Sequence, residues 1–161
     1  MNKPESLRKH LEAAVPGLRN NPDRLLVFVD NGTLRSTAAP GLSFEYAYTL
    51  NLIFTDFAGH PDSIAIPLFA WLLVNQRELM ENPRLAQEAV QFEADILDNK
   101  KVDLSITLAL TERVIVKRLA DGQLQVTYPA EPTVDEPFEA ESWQLTDADG
   151  NVMAEWDNPT P

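Results

Sequence analysis

Cysteine is absent from this 161-residue chain, so disulfides, thiolate nucleophiles and cysteine-based metal sites are excluded together. Histidine is almost absent, with only His10 and His60. No apolar run approaches the roughly 20 residues that a membrane-spanning helix needs. The opening MNKPESLRKHLEAA has no apolar signal block, and the expectation is a protein made in and retained by the cytoplasm. Lysine and arginine are missing from residues 119–161, which hold 10 acids, whereas residues 1–118 hold the other 15 acids and all 13 bases. Nearly all of the formal charge of −12 therefore belongs to the last quarter. Such a surface repels phosphate and argues against tight nucleic-acid binding through that segment.

Motifs for chemistry are also missing. There is no GxSxG, no Gly-rich phosphate loop, no HExxH and no dinucleotide fingerprint. His10 sits among charged residues of the first helix and reads as a solvated side chain. Asp56, His60 and Asp62 form the one group in which a small metal-dependent enzyme or ligand-binding module has its ligand types. The same stretch, with Gly59 and Pro61, equally reads as a turn into a helix whose start favours an acid. The expectation is no catalytic residue, no metal and no cofactor.

What is present is the 44% hydrophobic and 24% charged composition of an ordinary globular domain. Leu7, Leu11, Ala14, Val15 and Leu18 fall at helical spacing, with Pro4 in the first turn and Pro16-Gly17 as the stop. Leu25 to Val29 reads as a short buried strand, and Asp30-Asn31-Gly32 as a tight hairpin turn sending the chain back through Thr37. Period-two alternation over 44–57 sets Phe44, Tyr46, Tyr48, Leu50, Leu52 and Phe54 against a milder face. A second long strand spans 102–118. A shorter one at 90–96 joins it through Asp98-Asn99-Lys100-Lys101 as an antiparallel hairpin. Pro61 to Leu79 reads as a helix covering the sheet, with Pro67 bending it or moving its start to near Ile66. Leu124 to Tyr128 adds a last strand.

From Pro129 the periodicity fades, and five of the 12 prolines fall in the last 33 residues. This reads as an extended acidic arm or a disordered tail. Phe138, Trp143, Leu145 and Trp156 interrupt it as anchors that dock on a partner or back on the body. The expected architecture is α+β: a mostly antiparallel sheet with two long strands packed on two helices, over 1–128, plus an extended acidic C-terminal arm over 129–161. The mildly polar strand faces suit contact with a neighbouring subunit. Glu45, Thr49, Asn51 and Thr55 on one long strand, and Ser105, Thr107 and Arg113 on the other, are the candidate interface residues.

Three collinear segments carry a resemblance: NKPESLRKHLEAAVPGLRNNPDRLLVFVDNG, LSFEYAYTLNLIFTDFAG and FEADILDNKKVDLSITLALTERVIV. Together they resemble the tail completion protein R family of Peduovirus-type contractile-tail phages, over about residues 1–128. The resemblance implies a tail-terminator-like protein at the head-proximal end of the virion tail, assembled in the host cytoplasm. It implies a homo-oligomer, a sixfold ring that stops growth of the tail tube. Its partners would be the tail tube protein, the tail sheath protein and the head-tail connector proteins, with DNA passing through the channel unbound and no membrane involved. The family brings no catalytic residues. A head-side neck or connector adaptor is the rival reading within the same setting.

Overall fold

The computed structural model describes residues 1–36, 41–97, 101–132 and 141–157. Helix α1 (Lys3–Ala14) buries Leu7, Leu11 and Ala14, one face at a spacing of three to four residues. It stops at Val15, which is extended because the following Pro16 excludes the helical conformation. Pro16 then opens the short α2 (Pro16–Asn20), and a 3-10 turn (Pro22–Arg24) leads into β1 (Leu25–Ser36).

Strand β1 pairs antiparallel with β2 (Phe44–Phe57), β2 with β4 (Val102–Arg118), and β4 with β3 (Val90–Ile96), giving the order β1-β2-β4-β3. The short β5 (Leu124–Thr127) pairs with the end of β4. Tyr48, Leu50, Leu52 and Phe54 of β2 and Leu104, Ile106, Leu108 and Leu110 of β4 are buried beneath the helices. The two long alternating runs are thus the centre of the sheet, as their pattern requires.

The hairpin turn expected at Asp30-Asn31-Gly32 is a bulge instead. Asp30 pairs with Thr49 and Thr33 with Ala47, so Asn31 and Gly32 stand opposite Tyr48 alone. Asn31 has φ 52°, the left-handed conformation that both a hairpin turn and this kind of bulge use. The choice was made by β2, whose 14 residues offer β1 a longer partner than its own continuation does. A second bulge lies on β2, where Thr55 and Asp56 oppose Asp103 and Asp56 has φ 50°. It switches the alternation by one, which brings the odd-numbered Phe57 into the core at 5% exposure.

Helix α3 (Asp62–Asn75) begins five residues ahead of Pro67 and carries it in its interior, so the start is not near Ile66. It ends at Asn75, short of Leu79, and the chain continues through the single turns α4 (Glu78–Glu81) and α5 (Pro83–Ala86). Ser63, Ile64, Pro67, Leu68, Ala70, Trp71 and Leu72 are all buried. A helix apolar on so many sides must be covered on more than one. The second cover is a hairpin of β6 (Ser142–Thr146) and β7 (Val152–Asp157), in contact with α1, α2 and α3. Within the expected extended arm, residues 142–157 are therefore folded as a hairpin. Alternate residues Trp143 and Leu145, and Ala154 and Trp156, turn toward the core.

Candidate functional site

The helices cover one face of the sheet, and the candidate interface residues lie on the other. Glu45, Thr49, Asn51 and Thr55 of β2, and Ser105 and Thr107 of β4, are half-buried by one another; Arg113 is exposed. Their backbone register sets Glu45 against Arg113 and Asn51 against Thr107. The Asn51 amide ties three strands together: its Nδ2 donates to Asp30 Oδ2 at 2.5 Å, and its Oδ1 accepts from Thr107 Oγ1 at 2.9 Å. Glu45 pairs with Arg35 of β1. Thr55, at the second bulge, donates to the Arg24 carbonyl at 3.4 Å. Leu26 and Phe28 of β1 extend this face toward its edge, 42% and 48% exposed. On this face Asp30, Asn51 and Thr107 satisfy one another laterally, and Glu45 is paired with Arg35.

Sequence reasoning missed a polar junction on the free edge of β4, between the end of β3 pairing at Leu108 and the start of β5 pairing at Ile115. Gln76, buried to 1% exposure, fills that gap. Its Oε1 accepts from the Thr111 backbone N–H at 3.2 Å and from Lys3 Nζ at 2.6 Å; its Nε2 donates to Glu78 Oε1 at 2.6 Å and to Thr111 Oγ1 at 3.0 Å. Lys3 also meets Glu131 at 2.6 Å. Beside it Glu112, 4% exposed on the core face of β4, accepts from Tyr48 Oη at 2.5 Å and from the Asn2 backbone N–H at 2.6 Å. The carboxylate thereby meets the N-terminus of α1, where the helix dipole favours negative charge. Burial, then the hydrogen bond and charge of Glu112, push the Tyr48 hydroxyl far above its ordinary pKa. The visible signal was the one charge interrupting the apolar row between Leu110 and Val114.

The proposed ligand group does not assemble. His60 Nδ1 lies 3.2 Å from Asp62 Oδ2 at the start of α3. Asp56 instead holds the bulge: its N–H donates to Asp103 Oδ1 at 2.7 Å and its carboxylate accepts from Lys101 at 3.3 Å. Among the described residues no three of His, Cys, Asp and Glu come together in a way that could hold a metal. His10 is half-buried rather than solvated, with Nε2 3.0 Å from the Pro67 carbonyl; burial lowers its pKa and that bond partly offsets the shift.

Of the aromatic anchors, Trp156 is 7% exposed in the core, and Trp143 packs against it with ring centroids 6.2 Å apart. Leu145 is half-buried on the same side. These three turn toward the body, with Trp143 and Leu145 still partly exposed. Phe138 and most of the turn Asp98-Asn99-Lys100-Lys101 lie outside the described residues. Among the described residues no helix is long and apolar enough to cross a membrane.

Comparison with known proteins places the chain in a family. Residues 1–132, which contain the whole of the main sheet, match the family described as P2 phage tail completion protein R (GpR). The chain belongs to the tail completion protein R family. It is 43% identical over 157 residues to "Tail completion protein R" of Escherichia phage P2, covering 98% of this chain and 99% of that one. No solved structure matches the chain. The near-complete coverage includes the β6–β7 hairpin, although the family match itself stops ahead of it.

Proposed function

We propose that this chain completes a phage tail by closing the head-proximal end of the tail tube as a ring of six copies. In this reading it seats on the last tube ring, touches the uppermost ring of sheath, and presents the surface on which the head-tail connector docks. The observation that carries the reading is family membership across residues 1–132. The sheet face with Asn51 at its centre, which no described helix covers, is consistent with it, because an open strand face suits contact between proteins better than the binding of a small molecule.

The physical mechanism is cooperative. Each contact alone is weak, and six tethered contacts act together, so a finished tube end templates the ring. Growth stops because the upper face offers no surface onto which another tube ring adds. Acidic side chains let DNA pass without sticking, since like charges repel. The chain works as a structural part, without a catalytic step, cofactor or metal, and it is assembled in the host cytoplasm.

Electron microscopy of tails assembled without this protein tests the reading. Overlong or unfinished tubes that fail to join heads are expected, with normal tails returning when purified protein is added. Density for the chain at the portal, with another protein capping the tube, would replace the cap by a head-side neck adaptor.

A further inference from the structure

The main sheet has two free edges. Among the described residues, β1 pairs only with β2, and β3 pairs only with β4. We propose that copies of this chain join edge to edge, the β3 edge of one pairing antiparallel with the β1 edge of the next. The inference rests on the ring reading above and names the surface that makes the ring.

Strand direction permits it. All three pairings in the order β1-β2-β4-β3 are antiparallel, so β3 runs opposite to β1. Rotation about a ring axis preserves the sense of strands that run along that axis, and strands so oriented meet antiparallel at the seam without any refolding. Length agrees as well. The regular part of β1 ends at Asp30, where the bulge begins, and β3 has seven residues.

Charge agrees too. The β3 edge carries the acids Glu93 and Asp95, and Arg24 stands just ahead of β1; among the described residues none of these three forms an ion pair. A register that sets Asp95 beside Arg24 of the next copy also sets Phe92 beside its Val27. Both side chains lie on the helix-covered side, since Phe92 pairs with Ile106 and Val27 with Leu52. Phe92 is 73% exposed in the single chain, an unusual state for a large aromatic in a strand. The neighbouring copy covers it. A ring closed in this way leaves neither of these two edges unpaired.

The chain has no cysteine, so two introduced thiols report on the seam alone. Directly opposed residues in antiparallel strands lie about 4.5–5.5 Å apart at Cα, within disulfide reach. Tails are completed with protein carrying both Leu26→Cys and Glu93→Cys, which the same register sets opposite one another within the two strands, then oxidised and run without reductant. The expected result is a ladder of covalent multimers, reversed by reductant and absent from either single variant. In a second arm, Arg24→Glu and Asp95→Arg each lower the yield of head-joined tails severalfold, and their combination restores it. Rings at the tail end that neither cross-link nor show charge rescue overturn the edge pairing and leave the cap standing. Absence of any ring at the tail end overturns both.

Discussion

The Tyr48 hydroxyl donates to the Glu112 carboxylate at 2.5 Å inside the core, on adjacent strands whose faces were otherwise read as wholly apolar. Among the described residues Glu112 has one other hydrogen-bond partner, the Asn2 backbone N–H. Tyr48→Phe therefore leaves one carboxylate oxygen without a donor. The expected cost is about 1–3 kcal/mol of stability, read from urea unfolding at neutral pH. A variant as stable as the parent would show that water reaches Glu112 and that the pair contributes nothing.

The same pair sets an alkaline limit. The folded-state pKa of Tyr48 is raised, first by burial and then by Glu112, so its contribution is complete below the unfolded value of about 10 and is lost as pH rises above it. Stability is expected to begin falling near that pH, and to fall less steeply in Tyr48→Phe. Parallel pH profiles of melting temperature for the two proteins check this.

At the acid end, His10 acts in the opposite sense. Burial lowers its folded-state pKa, so the folded protein resists protonation while the unfolded chain, at about 6.5, accepts it. Its contribution is present above that pH and declines as pH falls toward the folded value. His10→Gln is expected to flatten the stability profile between neutrality and moderately acid pH. Profiles of equal slope would mean that the imidazole is solvated after all.

Gly59 is required by the neighbouring ring. A Cβ there would lie 2.7 Å from Phe57 Cζ, and Phe57 is buried. The ring must shift to admit the added methyl group, and Gly59→Ala is expected to cost about 1–3 kcal/mol. Thermal unfolding with Gly17→Ala as the control makes the comparison, because a Cβ at position 17 meets nothing closer than 3.9 Å.

Trp156 should hold the C-terminal hairpin to the helices. Trp156→Ala removes a buried indole and is expected to cost about 3–5 kcal/mol where the site cannot collapse. Limited proteolysis is expected to cleave the variant within 141–157 before the main sheet is attacked. Cleavage at an unchanged rate would return the hairpin to the status of an independent arm.

The long strands were legible because both of their faces are committed: alternate residues of 44–57 and 102–118 are buried beneath helices, and only one register satisfies that pattern. The bulges were not. Asn31-Gly32 carries the same left-handed chemistry in a turn and in a bulge, and the outcome depends on a partner strand distant in sequence. Strands β6 and β7 were hidden by their brevity and by surrounding acids. The available signal was the turn between them, where Asp147 accepts from the Asp149 and Asn151 backbone N–H groups and Gly150 takes φ 85°. Alternation also placed the seven polar candidates on the uncovered face, while Gln76 and Glu112 stayed invisible because their partners meet only in three dimensions.

The seat of α1 has a consequence for synthesis. Asn2 is fixed by Glu112, and Lys3 by Gln76 and Glu131, so the first residues to leave the ribosome wait for some of the last before their bonds can close. Contacts that span the chain this widely form late and slow the final step of folding. Gln76 is the first of these partners to emerge, Glu112 the second and Glu131 the third, so the first turn of the leading helix gains its bonds one at a time as the chain lengthens.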